Sequence, residues 1–242
     1  MTIDMDRQIH FGVLVVANKY GLRLTKENYA IIDNHPSFKF GLSTVDVVKG
    51  MADIYVIEEV KTVGDCDYVT KRHYTDEWCQ RHYKNCIENF EKNLDFYVNL
   101  SGEKFEKKLR AFLRRHTGFK EVTDLKEYDG ERGYYLMVLD KYKQVYIGTS
   151  DNIKERIQFH WRTKKPFDRL LFGSVEHSRI SIDSFRALDT TRIYAYKTWK
   201  TYDSEDKYIN FFPDEYVCNR VAGGEMELGL LGAYATRKMR NL

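Results

Sequence analysis

Proline is scarce. Three prolines in 242 residues exclude a long Pro-rich spacer between modules. No apolar run reaches the roughly 18 residues that a membrane-spanning helix needs, so none is expected. Four cysteines at irregular spacing are too few and too scattered for a disulfide framework, and they point to a reducing compartment. The opening residues, MTIDMDRQIH, lack the basic start and apolar core of a signal peptide. Charge of one sign is also lacking. Lys and Arg number 39 against 36 Asp and Glu, a net charge of +3. The isoelectric point of about 8.5 falls short of the value above about 9 that marks an electrostatic clamp on nucleic acid. Charge therefore permits nucleic-acid binding without arguing for it. Internal repeats and low-complexity tracts are absent.

The residues that are abundant describe a folded chain. Hydrophobic residues make up 43% and charged residues 31%, ordinary for a globular protein. Aromatics reach 14%, with 18 tyrosines. A tyrosine can pack a core with its ring and still offer a hydroxyl to a phosphate or a base edge. In the first half, residues 8–17 (QIHFGVLVVA) read as strand or buried helix. Residues 25–34 read as a short helix stopping before Pro36. Ser43 caps a predicted helix to about Thr62, with S-T-V-D at 43–46 as a capping box. Apolar groups at Cys79, Tyr83, Cys86, Phe90 and Leu94 predict a helix over 75–98. A further helix, Ser101 to Arg115, is closed by Gly118.

The texture changes at KEYDGERG, residues 126–133, where Asp129-Gly130 is a turn signal. Strands are predicted at Tyr134–Leu139 and Gln144–Gly148, then a helix from Ser150 to Arg162. An ambiguous stretch runs to about 189. A strand at Thr191–Thr198, a helix from near Ser204 and a loop from Pro213 complete the chain. Two antiparallel strands joined by a short turn bring Tyr135 and Tyr146 close in space. Arg156 and His160 stand at i and i+4 and project from one helix face. Ile153, Ile157 and Trp161 take another face, fit for packing on the sheet. Glu205 opens the last predicted helix.

Gly133-Tyr134-Tyr135 and the literal Tyr146-Ile147-Gly148, with Arg156, His160, Glu205 and Asn219, resemble the motif set of the GIY-YIG nucleases in order and spacing. Tyr135 and Tyr146 are 11 apart, Arg156 follows ten later, and Asn219 lies 14 beyond Glu205. Tyr134 departs from the pattern by replacing isoleucine, at a position expected to face the core. The resemblance covers residues 130–225. It implies an α+β domain in which a three-stranded antiparallel sheet is flanked by helices. It implies phosphodiester hydrolysis of double-stranded DNA, with Mg²⁺ (or Mn²⁺) held by Glu205. Arg156 would fork onto phosphate oxygens. Tyr135 would act as general base or hold the attacking water, helped by His160. Tyr146 would orient water or phosphate, and Asn219 would tether the active-site loops or a phosphate. Adjacent Asp206 is the rival to Glu205.

The chain is thus expected to hold a nuclease domain at 126–242 and a mainly helical domain at 1–125, with the boundary near 125–130. The first domain is expected to supply DNA specificity, and its first 62 residues to hold a helix-turn-helix-like module. It carries 19 Lys and Arg against 19 Asp and Glu, so a DNA face there must be local. Lys104, Lys107, Lys108, Arg110, Arg114 and Arg115 on the Ser101–Arg115 helix are the candidates, with a solvated face as the other reading. Cys66, Cys79 and Cys86 with His73 and His82 invite a zinc site. However, Cys79, His82 and Cys86 share one apolar helix stripe, and packing is the expectation. The expected setting is the cytoplasm of a bacterial cell or a phage-infected host. A site-specific nuclease of a phage or mobile element is the leading role. A restriction or defence enzyme, which a homodimer would suit, and a repair role stay open. So does a non-catalytic DNA-binding protein on the same fold.

Overall fold

The computed structural model describes residues 6–18, 20–30, 43–50, 52–163, 175–200 and 205–219. It is a mixed fold of helices and antiparallel sheets. Strands β1 (Arg7–His10) and β2 (Val13–Val16) form a hairpin. Phe11 and Gly12 close it at φ 46° and 71°, the doubly left-handed turn that matches strand twist. The ambiguity over 8–17 thus resolves as strand. A short helix, α1 (Lys26–Tyr29), is capped by Thr25; the rest of the helix expected to residue 34 lies outside the described residues.

The helix expected from Ser43 to Thr62 is corrected. Ser43–Thr44 is a two-residue strand, β3, and α2 (Val45–Lys49) is one turn with no side-chain cap bond. Tyr55–Val63 is then a nine-residue strand, β4, antiparallel to β5 (Cys66–Tyr74). The β-branched Val56, Ile57, Val60, Thr62 and Val63 favour the pleated surface. The connection is two residues, with Gly64 at φ 63°. Two hairpins therefore stand before residue 75, where a helix-turn-helix-like module was expected over the first 62 residues.

Helix α3 (Asp76–Asn99) begins at Thr75, which accepts from the Trp78 N–H, and α4 (Gly102–Arg115) begins at Ser101, which accepts from Lys104 N–H. Both follow the apolar spacing. Gly118 is not the C-cap; His116 is. A Cβ at Gly118 would lie 2.8 Å from the Tyr196 ring, so the glycine serves a close approach to the sheet.

That sheet has four strands rather than three, in the order β6 (Lys120–Glu121), β9 (Arg192–Lys197), β7 (Gly133–Leu139), β8 (Gln144–Ser150). A two-residue strand such as β6 carries no period to read. Helix α5 (Ile153–Arg162) and α6 (Glu205–Ile209) follow. Every residue of β7 is buried, so both sheet faces are covered. On one face Tyr134, Leu136 and Val138 meet Phe105, Leu109 and Phe112 of α4 and Tyr208 of α6. Burying those three α4 side chains contributes roughly 1.5–3 kcal/mol each. On the other face Tyr135, Met137 and Leu139 meet Ile153, Ile157 and Trp161 of α5. The same cluster includes Val13, Tyr29, Cys86, Phe90 and Tyr97. One buried core is therefore continuous across residues 125–130. Among the described residues, no helix is long and apolar enough to cross a membrane.

Candidate active site

The site begins with a register. Tyr135 pairs with Gly148 on one side and Ala195 on the other. Two small neighbours leave room for the phenol to lie across β8. A Cβ at Gly148 would sit 2.5 Å from Tyr135 Cζ, and nearer still to its hydroxyl. The glycine of the Tyr146-Ile147-Gly148 triplet is thus required by the tyrosine ring that crosses it. Two residues earlier on β8, Tyr146 projects from the same face, its ring 6.1 Å from that of Tyr135. Tyr134 points to the opposite face, buried edge-on against Tyr208 at 5.0 Å, as expected of a core position.

Helix α5 closes over the pair. Asn152 caps it by accepting from the Glu155 N–H. Its apolar residues Ile153, Ile157 and Trp161 anchor it. His160 is buried with them rather than set on an open polar face. Its Nε2 lies 2.9 Å from Tyr135 Oη, and its ring lies 4.8 Å from that of Tyr146. Its Nδ1 lies 2.7 Å from Asp183 Oδ1. One turn back, Arg156 stands beside the Tyr135 phenol and 5.3 Å from the Phe159 ring.

Glu205 enters from α6, half-buried, while Asp206 is exposed. Tyr135, Tyr146, Arg156 and Glu205 line one open cleft of about 660 Å³. Asn219 does not reach that cleft. Its Oδ1 accepts from Ile147 N–H at 2.9 Å and its amide donates to Ile147 O at 2.5 Å. It extends the β8 ladder sideways, after the Val145–Val217 bridge. This is a tether, and it uses both amide atoms.

Burial pushes the Tyr135 phenol well above its usual range; Tyr146 adds to this and Arg156 opposes it. Burial raises Tyr146 as well, with Asp183 adding and Arg156 opposing. Neither phenol is ionised at rest, so Tyr135 takes a proton only by passing its own onward. Burial works against the Arg156 guanidinium, but Tyr135, Tyr146 and Asp183 more than offset this and hold it firmly charged. Burial raises the Glu205 carboxyl; Asp206 adds and Arg156 opposes. Among the described residues none hydrogen-bonds or ion-pairs with that carboxylate at contact distance, and no group of three His, Cys, Asp or Glu forms a metal cage. One hard oxygen donor at an open cleft, with no ion pair at contact distance among those residues, fits a cation that keeps most of its waters.

The expected residues divide by place. Tyr135, Tyr146, Arg156, His160 and Glu205 converge, and Asn219 supports β8 from behind. The basic helix α4 packs on the opposite face of the sheet from Tyr135. Lys104, Lys107, Arg110, Arg114 and Arg115 are exposed on it, while Lys108 is half-covered near Phe211. Arg110 pairs with Glu106. Cys79 and Cys86 pack in the core, Cys66 is exposed at the tip of the β4–β5 hairpin, His73 pairs with Glu58, and His82 stacks on Trp78. Sequence reasoning missed Asp183. It lies 23 residues after His160, on a 3₁₀ turn, Ile182–Ser184, in a stretch without periodicity. Comparison with family profiles, with curated proteins and with solved structures gives no match for this chain.

Proposed function

We propose that this chain is a metal-dependent DNA endonuclease of the GIY-YIG type, hydrolysing phosphodiester bonds at the cleft between α5, α6 and β8. The observation that carries the proposal is the Tyr135–His160 contact of 2.9 Å in a cleft that also holds Arg156 and Glu205. A buried phenol joined to an imidazole is a route for a proton, and a guanidinium beside it is a seat for a phosphate oxygen. The fold supports the same reading. Both tyrosines lie on adjacent antiparallel strands, the Arg-His helix packs over them, and the carboxylate comes from the last helix.

In this reading the Arg156 guanidinium binds and orients the phosphate through its non-bridging oxygens. Tyr135 receives a proton from the attacking water while giving its own to His160. Tyr146, half-covered beside them, orients water or phosphate. Glu205 would hold Mg²⁺ or Mn²⁺, whose charge would stabilise the phosphate oxygens and the departing alkoxide. Asn219 keeps β8, and so Tyr146 and Gly148, in register. Site-specific cutting for a phage or mobile element is the role put first, and residues before 126 are proposed to contribute DNA contacts.

The test is incubation of the purified protein with plasmid and phage DNA, with Mg²⁺ or with EDTA, beside Glu205→Ala and Arg156→Ala. Magnesium-dependent cutting lost in both variants is expected. Tight DNA binding without any cutting would instead favour a binding protein built on the same fold.

A further inference from the structure

We propose that Asp183 is a positioning residue that fixes the tautomer of His160, and that α3 holds it in place. This rests on the phosphodiesterase reading, which it deepens.

The hydrogen-bond chain has one consistent direction. A carboxylate can only accept, so the contact of 2.7 Å between Asp183 Oδ1 and His160 Nδ1 makes Nδ1 the protonated nitrogen. In a neutral imidazole Nε2 then carries the lone pair. Tyr135 Oη, 2.9 Å away, must donate to it. At the other end the Arg156 guanidinium lies near the same phenol and favours its ionised form. Tyr135 O–H to His160 Nε2 and His160 Nδ1–H to Asp183 form a relay set to carry a proton inward, with the Arg156 charge beside the phenol. The opposite tautomer would place a hydrogen on Nε2 against the phenol and block the transfer.

The proton balance closes along this path. Water oxygen bonds to phosphorus as the bond to the leaving oxygen breaks. The water gives one proton to Tyr135 Oη, and Tyr135 passes its own to His160 Nε2. The leaving oxygen takes a proton from solvent in the open cleft. His160, now cationic against Asp183, returns its extra proton to solvent by the reverse route.

Asp183 needs fixing, because it sits on a short turn that neither sheet nor long helix holds. Two fully buried asparagines on α3 supply this. Asn89 donates to the carbonyls of Val175 and Ser178 at 2.7 and 2.9 Å. Asn93 donates to the Ser178 carbonyl at 3.0 Å and accepts from the Ile180 N–H at 3.3 Å. Tyr29 in turn donates to Asn89 at 2.6 Å. Ile180, Ile182 and Phe185 then lock the turn into the core. Buried amides with all these partners specify one arrangement. The first half of the chain thus aims the residue that aims the proton acceptor.

The test combines spectroscopy with kinetics. Nitrogen-15 spectra of the wild-type protein, with His160 among seven histidines assigned through His160→Gln, are expected to show a protonated Nδ1 and an unprotonated, accepting Nε2. Asp183→Ala should lose that tautomer and lower the single-turnover cutting rate about 10²-fold or more, with DNA affinity unchanged. Asp183→Glu should restore the tautomer and part of the rate. A wild-type spectrum with Nε2 protonated overturns the proposal even if Asp183→Ala does not fold. So does an Asp183→Ala protein that keeps both tautomer and rate. A wild type that cuts no DNA sinks the nuclease reading, and the spectra alone then decide the tautomer pair.

Discussion

Gly148→Ala separates the packing of the site from its chemistry. The backbone at Gly148 is not left-handed, so alanine is free of φ strain there. In a strand the change should even stabilise by about 0.5–1 kcal/mol, through the unfolded chain. The new methyl carbon, however, would lie 2.5 Å from Tyr135 Cζ and 3.0 Å from Cε1. Tyr135 has no exposed surface, although it borders the cleft, so overpacking of about 1–3 kcal/mol is the cost. The net loss is about 1–2 kcal/mol, or about 2–8 °C in melting temperature for a domain this size. Catalysis should suffer more. A ring that moves even about 1 Å leaves the 2.9 Å contact with His160, and misplacement on that scale costs about 10²-fold in rate. The assay is a thermal melt beside single-turnover cutting, with Gly130→Ala as control. A Cβ at Gly130 meets nothing within 4 Å, although its φ is +71°. The control should therefore lose about 1 kcal/mol to strain and no rate. A Gly148→Ala protein that melts and cuts like the wild type would refute the assigned Tyr135 geometry.

Glu205→Gln tests the desolvated carboxylate. Because burial raises its folded pKa above the ordinary 4.5, the carboxyl contributes stability below that value, which is lost as pH rises through the raised one. At pH 7.5 without metal the glutamine variant should melt higher than the wild type, and at pH 4 the gap should close; a lower melt at pH 7.5 contradicts this. Asn219→Ala strips partners from both the N–H and the carbonyl of Ile147, at roughly 1–3 kcal/mol for each buried group left unmade. Urea unfolding should show the loss, and hydrogen exchange at the Ile147 amide should accelerate. Replacing exposed Lys104, Lys107 and Arg114 together by alanine should flatten the log–log salt dependence of DNA binding by about 0.9 per phosphate contact removed. An unchanged slope assigns that face of α4 to solvent.

Much of the second half was legible because short-range patterns there agree with the tertiary fold. Alternation marked β9, helical spacing marked α5, and the two tyrosines fell on paired strands. The convergence of Tyr135, Tyr146, Arg156 and Glu205 in one cleft, with His160 buried behind Tyr135, follows from those elements. Asp183 was not legible, because a one-turn 3₁₀ segment has no period and its partner sits across the fold. Asn89 and Asn93 were hidden for a related reason. At i and i+4 they carry no apolar signal of burial, yet both are wholly buried, and the loop carbonyls they meet explain them. In the first half the signal was present but misread. The run YVIEEVKTV was taken into a helix that began at Ser43, although its β-branched content and the Gly64-Asp65 turn favour a hairpin. The strand β6 is too short to announce itself.

These placements change what the first half of the chain can be. A detachable recognition module would bury its own core and touch the rest lightly. Here the Leu24 N–H donates to Asp189 at 2.7 Å and the Leu188 N–H to Leu22 O at 3.0 Å. Asn89 and Asn93 hold Val175, Ser178 and Ile180, in the segment that leads into the turn carrying Asp183. In the proposed reading, residues committed this way to the core cannot also face DNA, and recognition would fall to the surfaces left over. Of these the β4–β5 hairpin mixes its charges, with Glu58 paired to Lys71 and His73. Helix α4 is biased toward positive charge, since six of its fourteen residues are Lys or Arg and two are Glu. It lies behind the sheet, but α6 joins the two regions. Glu205 at its start lines the cleft, its Tyr208 packs on Phe112 of α4, and Phe211 beyond its end lies under Lys108 and Arg115. A duplex seated at Arg156 and running out over α6 would meet those two cations next. In the proposed reading, target contacts and scissile phosphate would then be set by elements that share one packed core.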